Sequence, residues 1–135
     1  MKFRITLYTA GLGLWVSGSL WLLFHYALQR QRQFGLSAHP LESWWLTLHG
    51  AFAFFSIWLF GLLWGVHIAP GWPAGLRRRS GAWLVGIFAW LILSSYLLYY
   101  LGNEQARSVA SLLHWTVGLA SPVLLAAHRL APRRH

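Results

Sequence analysis

The sequence predicts an all-α membrane protein, a single bundle of four transmembrane helices over residues 1–135. The chain is 57% hydrophobic and only 10% charged. Apolar runs above about 18 residues are typical of membrane spans. Four such runs cover residues 5–28, 44–68, 81–101 and 109–127. They take up about two thirds of the chain, so we expect one domain and no soluble head.

The distribution of basic residues predicts the orientation of the spans. Eight of the 11 Lys and Arg residues lie at the two termini and in the loop between the second and third spans. The other two loops contain only Arg30, Arg32 and Arg107. Because Lys and Arg are in excess on the cytoplasmic side, we expect both termini to be cytoplasmic. Basic residues confined to loops do not favour nucleic-acid binding, and membrane lipid is the expected partner.

The boundaries of the spans follow from local signals. The first span is read as uncleaved, because it is longer than a signal-peptide core and lacks a small-residue cleavage site. The second should end before Pro70, and the Gly102-Asn103 pair can cap the third. The fourth contains Pro122, which cannot bond to the carbonyl of Gly118, so a bend is expected there. The short connections make the second and fourth spans parallel.

Four histidines within these two spans are the most informative residues. His49 and His67 on the second span are spaced i, i+18, and His114 and His128 on the fourth are spaced i, i+14. Both spacings return to nearly the same face of an α-helix. Parallel helices bring equal depths together, which predicts the pairs His49–His114 near the outer surface and His67–His128 near the inner one. Ionisable groups inside a bilayer are costly and usually mark function.

These pairs fit two flat macrocycles, one in each leaflet. At 1.5 Å per residue the two levels differ by about 27 Å on one helix and about 21 Å on the other. The chain has no cysteine and no methionine beyond Met1, which excludes thiolate, methionine and covalent attachment of haem. We therefore predict two non-covalent bis-histidine haem b groups. The alternatives are interhelical hydrogen bonding by the histidines, or a different metal or proton relay.

Other polar residues lie near the predicted histidine pairs and could contact a haem or a quinone. Arg77 and Arg129 flank the inner pair and Arg107 flanks the outer one, so they can neutralise haem propionates; membrane topology and snorkelling explain them equally well. His25 near the end of the first span and Glu104 in a short loop are candidates for contact with a quinone or with a ligating group. Two further histidines, His39 and His135, are expected to be solvated.

The stretch from His114-Trp-Thr-Val-Gly118 through Pro122 to His128-Arg129 resembles the last helix of four-helix b-type cytochrome subunits. These subunits include the membrane anchors of formate dehydrogenase and nickel–iron hydrogenase, and in this family the last long helix carries two haem ligands at the same spacing. The stretch Leu48-His49-Gly50 through Gly65-Val66-His67 resembles the second helix of small bacterial di-haem relatives. Where the formate dehydrogenase anchor has a ligand at the start of its first helix, residues 1–10 have no histidine, so His67 must substitute.

The resemblance implies a function in electron transfer. It implies a subunit in the bacterial inner membrane that exchanges electrons with the quinone pool and with a partner redox protein, and not a complete enzyme. Either carboxylate of the chain, Glu42 or Glu104, could accept quinol protons, although loop acids are more often solvated or paired with arginine. The alternative is a cofactor-free membrane scaffold subunit of a larger complex.

Overall fold

The computed structural model describes residues 2–32, 35–73 and 78–130. Within these residues four helical spans are long and apolar enough to cross a membrane, which confirms the number of spans predicted and fits a multi-pass membrane protein. The elements in chain order are α1 (Lys2–Tyr26), β1 (Arg30–Arg32), β2 (Gly35–Ser37), α2 (Pro40–Leu63), a π-turn (Trp64–Ile68), α3 (Ala69–Gly71), α4 (Arg78–Tyr100) and α5 (Glu104–Leu130).

Helix α5 begins before its apolar run because a polar side chain caps its start. Helix α5 starts at Glu104, five residues before the predicted span. Asn103, which was expected to end the third helix, instead accepts a hydrogen bond from the backbone N–H of Ala106 through Oδ1 (2.9 Å). A side-chain oxygen at this position satisfies one of the unpaired N–H groups of a helix start. Hydropathy locates the part of a helix that faces lipid, whereas its ends depend on capping.

The connection between the first two spans contains a short antiparallel strand pair, β1 and β2, which the sequence did not predict. Gly35 adopts φ 112°, a left-handed conformation that favours glycine. His39, expected to be solvated, is half-buried, and its Nδ1 accepts a hydrogen bond from the backbone N–H of Leu41 (3.1 Å) at the start of α2.

The second span does not end before Pro70 as predicted, but continues to Gly71. Proline lacks an N–H and its ring collides with the carbonyl four residues earlier in an α-helix. The π-turn Trp64–Ile68 ends two residues before Pro70 and includes the residue four positions before it, so its wider i→i+5 bonding accommodates the ring. His67 lies in this π-turn. His49 and His67 are therefore not related by a regular α-helical repeat, because residues 64–68 form a π-turn.

The chain divides into two compact units, residues 1–63 and residues 64–135. In the first, α1 packs against α2, and in the second, α4 packs against α5. Small residues allow close approach: a Cβ atom added to Gly13 of α1 would collide with the ring of Phe52 on α2. Helix pairs in membranes commonly associate through such small residues. Many large apolar side chains in both units are exposed, as is expected of surfaces that face lipid.

Helix α5 passes through Pro122 without interruption. Pro122 has no N–H for the carbonyl of Gly118, but the hydroxyl of Ser121 donates a hydrogen bond to that carbonyl (2.8 Å). Serine hydroxyls are one of the means by which transmembrane helices tolerate proline. The sequence analysis predicted the missing bond at Gly118 but not the hydroxyl of Ser121 that replaces it.

We expect Ser121→Ala to lower the free energy of unfolding by about 1 kcal/mol, because it leaves the Gly118 carbonyl unpaired in an apolar environment. Equilibrium unfolding in mild detergent measures the change. In the double variant Ser121→Ala/Pro122→Ala the alanine N–H can bond to the same carbonyl, so stability should return to the wild-type value or above. A single variant as stable as the wild type would contradict this role of Ser121.

Candidate functional site

His49 lies in the contact between α1 and α2, where α1 is shaped to receive it. Its Nδ1 is 3.0 Å from the carbonyl oxygen of Leu14 and 3.3 Å from Oγ of Ser17. A Cβ atom on Gly18 would lie 2.8 Å from Cε1 of His49, closer than real Cβ contacts allow. A glycine on α1 is therefore needed for the imidazole to reach this position.

His114 and His128 lie in the contact between α4 and α5 in the same manner. Nδ1 of His114 is 2.8 Å from Oγ of Ser94, and Nδ1 of His128 is 2.9 Å from Oγ of Ser80. The two serines are spaced i, i+14 on α4, as the two histidines are on α5. Equal spacings on two antiparallel helices place the same serine–histidine pair at both levels of the hairpin.

The hydrogen bonds define the tautomer of two of these imidazoles. A carbonyl oxygen only accepts, so Nδ1 of His49 must donate its proton to Leu14. The one hydroxyl proton of Ser94 is donated to the carbonyl of Leu91 (3.2 Å), so Nδ1 of His114 must be the donor to Ser94. In a neutral imidazole the lone pair then belongs to Nε2. Metal-ligating histidines are held in this way, with the other ring N–H on an oxygen acceptor.

His67 differs from the other three candidate ligands. It is exposed in the π-turn, and no hydrogen bond among residues 2–32, 35–73 and 78–130 involves its imidazole. It belongs to the same unit as His128, but no hydrogen bond in the described part of the chain joins the two. His49 and His114 belong to different units. Both predicted pairs therefore stay predictions.

The two candidate propionate partners that the structure describes lie near the ends of α5. Arg107 and Arg129 are exposed, near the start and the end of α5. Arg107 precedes His114 by seven residues and Arg129 follows His128 directly. Arg77 lies outside the described residues, as does His135.

His25 and Glu42 form a hydrogen-bonded pair that the sequence analysis did not predict. Nδ1 of His25 is 2.7 Å from Oε1 of Glu42, and the carboxylate side chain is 17% exposed. Glu42 was placed in a loop, but it belongs to the first turn of α2. Glu104 is exposed in the first turn of α5, and no ion pair within the described ranges includes it. Of the two carboxylates, only Glu42 is therefore held by a side-chain partner in the described residues.

The serines are the site residues that sequence reasoning missed. Ser17 and Ser94 are buried, with relative exposures of 2% and 0%. The sequence could have indicated two of them, because Ser80 and Ser94 have the same i, i+14 spacing as His114 and His128. No cluster of three or more His, Asp or Glu side chains that could hold a metal ion occurs in the described ranges. A bis-histidine haem needs only two such ligands.

We expect Gly18→Ala to destabilise the α1–α2 contact by about 1–3 kcal/mol, because the added methyl group displaces the imidazole of His49. The matched control is Gly11→Ala, since a Cβ atom on Gly11 has nothing within 4 Å. Chemical unfolding of both variants in the same detergent measures the difference. Equal stability of the two variants would show that the close approach of Gly18 and His49 is not required.

Comparison with known proteins gives no relative from which a role can be transferred. No protein-family model matches the chain, and neither a curated protein nor a solved structure is significantly similar to it. The cytochrome resemblance therefore depends on the histidines, glycines and proline that carry it. What these residues do has to be argued from their contacts in this chain.

Proposed function

We propose that this chain is a di-haem b-type cytochrome subunit that carries electrons across a membrane between the quinone pool and a partner redox protein. The observation that carries the proposal is the anchoring of His49, His114 and His128 through Nδ1 to oxygen atoms of the neighbouring helix. This arrangement orients each imidazole and, for His49 and His114, also assigns the proton to Nδ1, which is what a haem ligand requires. The bacterial inner membrane is the proposed location.

The residues fit haem by the chemistry of their donor atoms. Leu14 and Ser94 accept the Nδ1 protons of His49 and His114, so Nε2 carries the lone pair that would coordinate iron. Haem b, when bound, supplies one-electron transfer through its iron. The other ligands are proposed to be His67 and His128, and the π-turn that contains His67 is a type of irregularity frequent at functional sites. Arg77, Arg107 and Arg129 are the proposed propionate partners.

The described part of the chain favours a carrier of electrons over a complete enzyme. The long helices are apolar and are joined by short polar segments. The polar residues inside the helices are mainly serines, threonines and histidines. Such residues can hold a redox group, and we assign the catalytic head to the partner protein. We propose the chain as the membrane subunit of an oxidoreductase complex.

A second candidate is a cofactor-free scaffold subunit, and the same hydrogen bonds favour it. The bond between His114 and Ser94 joins α4 to α5, and that between His49 and Leu14 joins α1 to α2. Interhelical hydrogen bonds of this kind stabilise membrane helices by about 0.6 kcal/mol on average. The two candidates differ in one simple property, since a scaffold has no visible absorption.

The purified protein should show a reduced-minus-oxidised spectrum of b-type haem, with two haems per chain by pyridine haemochrome assay. His49→Ala and His114→Ala should each remove one haem signal, and His67→Ala and His128→Ala the other, since an imidazole ligand is lost. His39→Ala is the matched control, because His39 caps α2, and should retain both haems. A colourless preparation from cells supplied with haem would contradict the proposal and favour the scaffold.

A further inference from the structure

A cavity of about 590 Å³ lies within the second compact unit, between α4 and the segment that precedes it. Its volume is in the range of ligand-binding sites, about 300–1,000 Å³. Trp64, Ile68 and Trp72 line one side, and Ala82 and Val85 of α4 line the other. Because alanine is small, α4 leaves a gap beside the two indole rings, and this gap is the cavity.

The cavity lies where membrane-spanning helix gives way to the polar connection. The second span ends at Gly71, one residue before Trp72, and the third begins at Arg78. Tryptophan is enriched at this depth, where the hydrocarbon of a bilayer meets the head groups. Every residue that lines the cavity is apolar. A ligand that fills it therefore needs an apolar part that can enter from the hydrocarbon.

A cationic side chain is fixed at the edge of this cavity. Nε of Arg78 donates a hydrogen bond to the carbonyl of Trp72 (2.6 Å), and its Nη2 donates one to the carbonyl of Pro73 (3.4 Å). Both acceptors belong to residues that line the cavity. The two bonds use two of the five N–H donors of a guanidinium, so others can bind an anionic oxygen. An arginine that only marked topology would extend towards water.

The side chains at this end of the hairpin supply cations but no anion. The hydrogen bond between the start of α4 and the end of α5 places Arg78, Arg79 and Arg129 at the same end. The only two acidic side chains of the chain lie elsewhere. Glu104 begins α5 at the opposite end of the hairpin, and Glu42 has its own partner in the other unit. A counter-ion for these arginines has to come from outside the protein.

We propose that the cavity binds an anionic phospholipid of the surrounding membrane, with one acyl chain in the cavity and the phosphate on Arg78. The apolar lining matches the chain, and the exposed guanidinium matches the phosphate that follows it at the membrane surface. Basic pockets between transmembrane helices bind anionic head groups in this manner. The site is independent of the proposed function, because neither haem nor any of the histidines takes part in it.

Ordinary contact with bulk lipid explains less. Many exposed apolar side chains of this protein contact acyl chains in a membrane, and such contact requires neither a cavity nor a cation at its edge. A zwitterionic phospholipid would fill the cavity equally well, but it would bring a second cationic group to an end of the hairpin that already has three arginines. The charge of the site therefore favours a lipid with a net negative head group.

Native mass spectrometry of the purified protein in detergent can count the bound lipid. The protein is titrated with phosphatidylglycerol or with phosphatidylcholine of the same chain length. The wild type should bind one phosphatidylglycerol about tenfold more tightly than phosphatidylcholine. Arg78→Gln should weaken phosphatidylglycerol binding about fivefold and leave phosphatidylcholine binding unchanged, as expected for the loss of one basic residue near a lipid head group.

A second variant changes the cavity and not the charge. The ring added by Ala82→Phe would occupy the space of the acyl chain, so phosphatidylglycerol binding should fall by about tenfold or more. Ala89→Phe is the matched control, because Ala89 is an equally exposed alanine of α4 that does not line the cavity. Arg4→Gln is the control for charge, since Arg4 is an exposed arginine at the start of α1. Both controls should bind as the wild type does.

The outcomes decide between this site and its alternatives. Equal binding of the two phospholipids by the wild type overturns the proposal. So does an Ala82→Phe variant that binds phosphatidylglycerol as tightly as Ala89→Phe, or an Arg78→Gln variant that binds it as tightly as Arg4→Gln. Displacement of the lipid by equimolar oleate assigns the cavity to a fatty acid and overturns the proposal as well. A colourless protein with the expected lipid binding overturns the proposed function and leaves this inference in place.

Discussion

The structure depends on the need to satisfy polar groups inside helices that face an apolar solvent. A polar atom without a partner costs several kcal/mol in hydrocarbon. Ser94, which is fully buried, donates a hydrogen bond to the carbonyl of Leu91 and accepts one from Nδ1 of His114. His49 meets the same need by bonding to Leu14. The hydrogen bonds that avoid this cost also determine where each imidazole lies.

The same constraint explains why two prolines are tolerated. The hydroxyl of Ser121 bonds to the carbonyl that Pro122 leaves free. At Pro70 the helix widens into a π-turn instead. Either solution keeps the helix continuous, but only the second changes its periodicity. That change falls on His67, the one candidate ligand without an anchoring bond in the described residues, and makes it the most informative histidine for the haem proposal.

The contact between α1 and α2 combines structure and proposed chemistry along a single line of residues. Gly18 admits the imidazole of His49, and two turns away His25 pairs with Glu42. Under the proposed function, a redox group at His49 would lie about 10 Å along α2 from this pair. Trp45, between them on α2, has a buried N–H that the described chain does not satisfy.

The sequence by itself determined the number of spans and identified the histidines within them as candidate functional residues, because both can be read from the local sequence. Tertiary structure decided what those residues contact. The pairing of His25 with Glu42, and of His114 with Ser94, depends on the register of two antiparallel helices, and no local pattern fixes that register. The helix face on which His67 lies depends on the π-turn that relieves the clash at Pro70. The regular α-helical repeat, from which the sequence analysis placed His67, does not include such a turn.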